Sequence, residues 1–340
     1  MQTIRWGIIG CGDVTEVKSG PGFQKADGSA LVAVMRRDGA KAADYARRHG
    51  VPRWYDDGQK LIDDPQVDAV YVAAPPEMHE SYAMAACAAR KPCYVEKPMS
   101  RNGDEARRMV AAFAKRGIPL FVAYYRRGLP KFIKAREIMH GGAIGPIRAV
   151  SYQYQDGQMV RRVEPAPWRV SAKIAGAGPF LDLGSHVLDI LDFLLGPLEN
   201  IAGRATNKLR QYAVEDHVEL TCTASGVATQ VGFDFTSGDR QDEFAIKGDR
   251  GELRFSCFGF EPLTLVIPGR EAEKVEFATP AHVQQPLIQG IVDVLRGDGR
   301  PGDWLSTGAV GLRAQLAMDA ALQSYYGGRE DGFWSRFAER

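Results

Sequence analysis

Apolar residues in the first third of the chain fall in short runs, at 4–9, 31–35, 67–73, 92–95 and 118–123, interrupted by charge only at Arg5 and Asp68. Between them the chain predicts helices over 40–49 (Ala-rich, with Arg47 and Arg48 near its end), 77–90 and 102–116, the last closed by Gly117. Buried runs alternating with helices of this length predict parallel βαβ units. Beyond residue 124 the rhythm changes. A helix over 130–140, a strand over 146–154 and a helix over 185–195 lead into period-two alternation, with Val218, Leu220, Cys222 and then Val231, Phe233, Phe235 on one face. Residues 244–255 read as a hairpin, and helices over 283–296 and 305–326 close the chain. Such alternation predicts an antiparallel sheet with one covered face. The other face then needs a partner, so a homo-oligomer is expected. The expected domains are 1–123 and 124–340, with the last helix free to pack back on the first domain.

The chain has 340 residues, 45% apolar and 25% charged, with a formal net charge of +1. Its length exceeds one typical core, in keeping with two domains. The near-zero charge gives no sign of a nucleic-acid partner. The most apolar stretch, 187–195, is broken by Asp189 and Asp192, which argues against a membrane span. An apolar strand within three residues of the start leaves no room for a signal peptide, so a cytoplasmic protein is expected. The five cysteines are scattered and form no CxxC, which fits reduced thiols rather than a disulfide frame or a zinc site.

Chemistry enters at four places. The first run ends in Gly10-Cys11-Gly12-Asp13-Val14-Thr15, a G-x-G-x-x turn with Thr15 where a third glycine or alanine usually falls. Gly10 permits the tight turn, and Gly12 lets the backbone approach a pyrophosphate at a helix N-terminus. The second run ends in Met35-Arg36-Arg37 instead of an acid, which suits the 2′-phosphate of NADP(H). Asp38 lies close enough to keep NAD(H) open. The loop Ala74-Pro75-Pro76-Glu77-Met78-His79 follows the third run, and His79 reads more readily as a structural hydrogen-bonder than as a catalyst. Next, Tyr94-Val95-Glu96-Lys97-Pro98 carries a lysine to the carboxyl end of a strand, where open parallel sheets bind ligands. Pro98 leaves both isomers of the Lys97–Pro98 bond open. Finally, Asp182-Leu183-Gly184-Ser185-His186 puts an acid and an imidazole four apart, on one face of a helical turn. That pair suits acid/base work near neutral pH. Two plainer readings stay open: Asp182 as a cap of helix 185–195, and His186 as a satisfied core residue. A metal reading through Asp189 has no second histidine cluster behind it, and no metal is expected.

These pieces, in this order, resemble the glucose–fructose oxidoreductase / inositol dehydrogenase / MocA family over essentially the whole chain. Glu96-Lys97-Pro98 and the D-x-G-x-H of Asp182, Gly184 and His186 are the most specific parts. The Gly10-Cys11-Gly12 turn, Pro75-Pro76 with His79, Trp168-Arg169 and 247–251 support them. The resemblance implies a Rossmann domain followed by an α+β domain built on a large, mostly antiparallel open sheet that forms dimers or tetramers. It implies reversible hydride transfer between nicotinamide and a sugar, polyol or related compound. Lys97 would polarise the reacting oxygen, and His186 would exchange the proton, assisted by Asp182. Gly10, Cys11, Gly12, Asp13, Val14, Arg36, Arg37, Ala74, Pro75, His79, Glu96, Lys97, Trp168 and Arg169 would face the cofactor. Tyr124, Tyr125 and Arg126 would line the substrate pocket with Lys97, Asp182 and His186. Two other outcomes share this pattern: a glycosidase using tightly held NAD, and a cofactor-sensing regulator without turnover.

Overall fold

Six short strands carry the first part of the chain: β1 (Ile4–Ile9), β2 (Ser29–Met35), β3 (Arg53–Tyr55), β4 (Ala69–Val72), β5 (Cys93–Val95) and β6 (Leu120–Val122). The computed structural model describes residues 3–158, 160–299, 302 and 304–328. All five strand pairings are parallel, in the order β3-β2-β1-β4-β5-β6. This is the doubly wound dinucleotide-binding order, whose ligands sit at the carboxyl ends of the strands. β4 and β5 are fully buried, as their unbroken apolar sequences require. The short β3 escapes sequence reading because Arg53-Trp54-Tyr55 carries no aliphatic run.

The second sheet has eight strands: β7 (Ile147–Gln155), β8 (Leu198–Thr206), β9 (His217–Ala224), β10 (Val227–Asp234), β11 (Gln241–Gly248), β12 (Glu252–Phe255), β13 (Leu263–Val266) and β14 (Glu273–Val275). Their order is β14-β13-β12-β11-β7-β10-β9-β8. Every pairing is antiparallel except β7 with β10, so the sheet is mostly antiparallel, as expected. Tyr152, Val218, Leu220, Cys222, Val231, Phe233, Phe244 and Ile246 are buried, and the helix Pro179–Leu195 packs beside β8 and β9. Their alternate neighbours Gln153, Arg204, Glu219, Thr221 and Gln230 are exposed. β8, β13 and β14 were not anticipated. β8 is an edge strand whose sequence, Leu-Glu-Asn-Ile-Ala-Gly-Arg-Ala-Thr, lacks sustained alternation.

The compact units do not coincide with contiguous halves. One comprises 1–129 with 280–312, and the other 130–279 with 313–340. The division falls at 129/130 instead of 123/124, because the turn Tyr125–Gly128 packs with the helix Gln285–Arg296 in the first unit. Thr307 also bridges to Phe121 there. The helix expected over 77–90 is two pieces, a 3-10 turn at Pro76–Met78 and a helix at His79–Ala88, since Pro76 sits at its entry.

Candidate functional site

The first unit assembles its features along one edge of its sheet. Gly10 follows β1 with φ +92°, and a Cβ there would lie 2.8 Å from the Ala73 and Ala74 backbone. Only glycine fits, and its absence of side chain lets the turn after β1 close against the loop after β4. A Cβ on Gly12 would meet nothing nearer than the Gly10 carbonyl at 3.9 Å, so the space above it is open to a phosphate. Asp13 begins the short helix Asp13–Val17, with Val14 half-buried in it. Thr15 is buried at the third-glycine position, and its hydroxyl donates to the Gly12 carbonyl at 2.8 Å. That bond explains why threonine is accepted there. Burial pushes the Cys11 thiol up to about 11, so it stays protonated.

At the end of β2 the half-buried Arg36 donates to the Cys11 carbonyl at 3.4 Å, while Arg37 is exposed. Asp38 is the N-cap of the helix Gly39–His49: its carboxylate accepts the Lys41 N–H at 3.2 Å and pairs with the Lys41 ammonium at 3.4 Å. After β4, Ala74 and Pro75 lead into His79, which is 1% exposed. Its Nε2 lies 2.7 Å from the Ala74 carbonyl oxygen and its Nδ1 3.0 Å from that of Pro98. His79 therefore ties the loop after β4 to the loop after β5, while burial lowers its pKa against these two carbonyls.

Glu96 is the hub. Its Oε1 accepts from the Tyr71 hydroxyl at 2.5 Å and the Gln284 amide at 2.7 Å, and its Oε2 accepts the Lys97 N–H at 3.0 Å. The Tyr94 hydroxyl donates to Gln284 at 2.9 Å. A buried carboxylate with several donors is held in place. Here it fixes the main chain from which the half-buried Lys97 side chain departs. The Lys97–Pro98 bond is cis. Burial, then the Glu96 charge, drives the Tyr71 pKa well above the ordinary tyrosine value, so its hydroxyl stays a donor. Tyr124, Tyr125 and Arg126 follow β6; all are buried, with the Arg126 guanidinium 5.3 Å from the Tyr125 ring centroid. His282 has Nδ1 2.7 Å from the Val17 carbonyl oxygen and Nε2 2.8 Å from the Lys25 ammonium.

In the second unit, the helix bearing Asp182 and His186 starts at Pro179, six residues earlier than expected. Proline at the first helical position is favourable. Asp182 therefore lies in the first turn and is not the cap; Gly178 is. Gly178 has no side chain, and the buried Glu215 carboxylate accepts its N–H at 2.9 and 3.1 Å. A Cβ on Gly178 would sit 2.6 to 2.9 Å from Glu215. Glu215 thus supplies the negative charge that a helix N-terminus prefers. The glycine of D-x-G-x-H has its own cause: a Cβ on Gly184 would lie 2.5 Å from the Phe180 ring. His186 is 3% exposed, and its ring meets Phe258 edge-on at 6.1 Å. Arg169 pairs with Asp182 at 3.4 Å and covers the Trp168 ring at 4.4 Å, joining three of the expected residues. Among the described residues no group of three or more His, Cys, Asp or Glu is arranged for a metal. No described helix is long and apolar enough to cross a membrane.

Sequence reasoning missed Tyr71, Gln284 and Glu215. A buried tyrosine inside a strand signals a hydroxyl seeking a partner. Gln284 and Glu215 give no local signal.

Residues 4–124 match the model of an oxidoreductase family with an NAD-binding Rossmann fold, and 132–254 match the GFO/IDH/MocA C-terminal domain. "Oxidoreductase P35" of Formosa agariphila is 37% identical over 291 residues, covering 85% of this chain and 90% of its own. Levoglucosan dehydrogenase of Pseudarthrobacter phenanthrenivorans is 34% identical over 271 residues, 71% of this chain and 70% of its own. A solved structure of levoglucosan dehydrogenase with NADH and levoglucosan superposes with a TM-score of 0.84 at 23% identity, covering 95% of this chain and 97% of that one.

Proposed function

Since the chain belongs to the glucose–fructose oxidoreductase / inositol dehydrogenase / MocA family of oxidoreductases, we propose that it moves a hydride reversibly between a nicotinamide dinucleotide and a hydroxyl-bearing carbon of a sugar or polyol. The observation that carries this reading is the Glu96 anchor. It fixes Lys97 at the carboxyl edge of the same sheet that presents the open Gly10–Gly12 turn.

Gly10, Cys11, Gly12, Asp13 and Val14 would hold the pyrophosphate, and Ala74, Pro75 and the His79 tie would border the cofactor. Trp168 and Arg169 would approach its nicotinamide end. Bound there, the nicotinamide supplies the hydride acceptor or donor. The chain does the rest. The Lys97 Nζ ammonium steadies negative charge growing on the substrate oxygen as its proton leaves. An imidazole nitrogen of His186 takes that proton, or returns it in reduction, with Asp182 assisting from one helical turn away. Tyr124, Tyr125 and Arg126 would shape the substrate end.

Arg36 and Arg37 favour NADP(H), because Asp38 is engaged in capping the helix Gly39–His49. NAD(H) remains usable through backbone contacts shared by both cofactors. The exposed polar face of the eight-stranded sheet would pair with a second copy, giving a homodimer or homotetramer.

Parallel fluorescence titrations with NADPH and NADH, followed by turnover on sugars and polyols, test the reading. Tighter NADPH binding with turnover is expected. Tighter NADH binding would move the ribose contact to Asp38, and binding of neither would overturn the assignment.

A further inference from the structure

The segment that returns to the first unit after residue 280 is fastened at two points, two residues apart. Gln284 is buried: its N–H donates to the Lys18 carbonyl at 3.2 Å, and its side chain joins Glu96 and Tyr94. His282 is half-buried and meets the helices Asp13–Val17 and Gly20–Lys25. Its ring nitrogens have unlike partners. Nδ1, 2.7 Å from the Val17 carbonyl oxygen, has to donate, and Nε2, 2.8 Å from the Lys25 ammonium, has to accept. Both bonds form together only on a neutral ring that carries its proton on Nδ1. A second proton, on Nε2, removes the acceptor and sets a positive ring against an ammonium.

Other charged groups on the neighbouring elements are Asp13, Glu16, Lys18, Asp27 and Glu96. Glu16 is engaged by Arg48 and His49, and Glu96 by Tyr71 and Gln284. Among the described residues, only Val17 and Lys25 bond to the His282 ring. Val17 ends the short helix into which the Gly10–Gly12 turn leads. The Tyr45 hydroxyl, donating to the Thr15 carbonyl at 2.8 Å, holds the middle of that helix, and His282 holds its end. A helix of five residues tilts as one piece, so the hold on Val17 sets where the backbone of Gly12, Asp13 and Val14 points.

We propose that His282 is a positioning residue for the cofactor: its neutral ring, bridging Val17 and Lys25, holds the helix Asp13–Val17 so that the turn before it meets the pyrophosphate, and Lys25 makes that hold sensitive to acid. The inference rests on the oxidoreductase reading and adds to it a group that governs cofactor affinity without touching the cofactor.

Fluorescence titrations of the full chain with NADPH, from about pH 5.5 to about pH 8.5, test it on wild type, His282→Ala, His282→Asn and Lys25→Met. The 2′-phosphate titrates alike in all four, so the ratio of variant to wild-type Kd is read at each pH. Near the alkaline end His282→Ala is expected to raise Kd about fivefold, the worth of one hydrogen bond. Near the acid end that ratio approaches one, because the wild-type ring is protonated and has let go. His282→Asn, whose amide donates to Val17 without titrating, restores affinity to within about twofold at the alkaline end and binds more tightly than wild type in acid. Lys25→Met also binds more tightly than wild type in acid, since the protonated ring then meets no ammonium. A His282→Ala ratio that stays constant across the range marks a purely structural contact and overturns the proposal, as does Lys25→Met tracking wild type in acid. Lys25 is exposed, so that variant carries the test should His282→Ala fail to fold. NADH replaces NADPH if wild type binds it more tightly. Wild type binding neither cofactor at any pH would instead strike the oxidoreductase reading, and this inference with it.

Discussion

Lys97 leaves the sheet edge from a main chain already fixed, because the Glu96 carboxylate takes its N–H along with donors from Tyr71 and Gln284. Glu96→Gln keeps the shape but turns an amide N–H₂ toward one of those donors. An unsatisfied buried donor costs about 1–3 kcal/mol. Urea denaturation should register that loss, and a variant as stable as wild type would show that the three bonds are not holding the segment. At Lys97 and His186 themselves the expectation is kinetic. His186→Ala should cost roughly 10²–10⁴ in kcat, the range of general acid–base catalysis, with NADPH affinity preserved. Lys97, Asp182 and His186 were singled out as candidates because each sits in a short local motif. The group that sets Lys97 was not. Gln284 lies 188 positions from Glu96, and no periodicity or spacing joins residues so far apart.

The helix Pro179–Leu195 shows how an element serves a site. Its start is set by Pro179 and by a carboxylate from a distant loop, Glu215, and its middle is set by the contact of Gly184 with Phe180. Gly184→Ala places a methyl 2.5 Å from that ring. Overpacking of this kind costs about 1–3 kcal/mol, so thermal unfolding should shift down while Gly12→Ala, with open space above it, leaves stability nearly unchanged and weakens cofactor binding. A second expectation concerns acid. The Arg48 guanidinium, with help from His49, lowers the Glu16 carboxyl to about 2 from the ordinary 4.5, joining the helix Asp13–Val17 to Gly39–His49. A folded pKa below the unfolded one stabilises above about pH 4.5, and that contribution is lost as pH falls through 2. The pair is partly exposed, so Glu16→Gln should cost only about 0.5–1 kcal/mol at neutral pH and nothing below pH 2. A wild-type-minus-variant difference that persists in acid would contradict this. Sequence pattern located most helices and the buried strands to within a few residues, because burial imposes periodicity. It failed at the edge strands β3, β8 and β14 and at the four-residue β13 beside β14, which are exposed on one side or too short to show a period, and at the helix start, which a residue from elsewhere in the chain decides.

At the scale of the molecule, the change of rhythm near residue 124 was legible, while the return of the helix Gln285–Arg296 to the first unit was not; the last helix was the one expected to return, and from Arg313 it belongs to the second unit. A helix that packs against an element laid down far earlier carries no mark of its partner in its own amphipathicity. The open face of the eight-stranded sheet leads to a further expectation. Gln153, Thr221 and Gln230 lie exposed on neighbouring strands, so a homo-oligomer seated there would be broken by Thr221→Arg, which buries an unpaired charge. Light scattering should find the wild type as a dimer or tetramer and the variant smaller; a monomeric wild type would remove the interface. The central claim, that Lys97 serves the chemistry and not the fold, is tested most directly by Lys97→Met. NADPH titration and turnover would be measured on the same sample. Affinity is expected to stay within about threefold while kcat falls by at least about 10². Near-wild-type turnover, with the substituted residue in place and the cofactor bound, would contradict it.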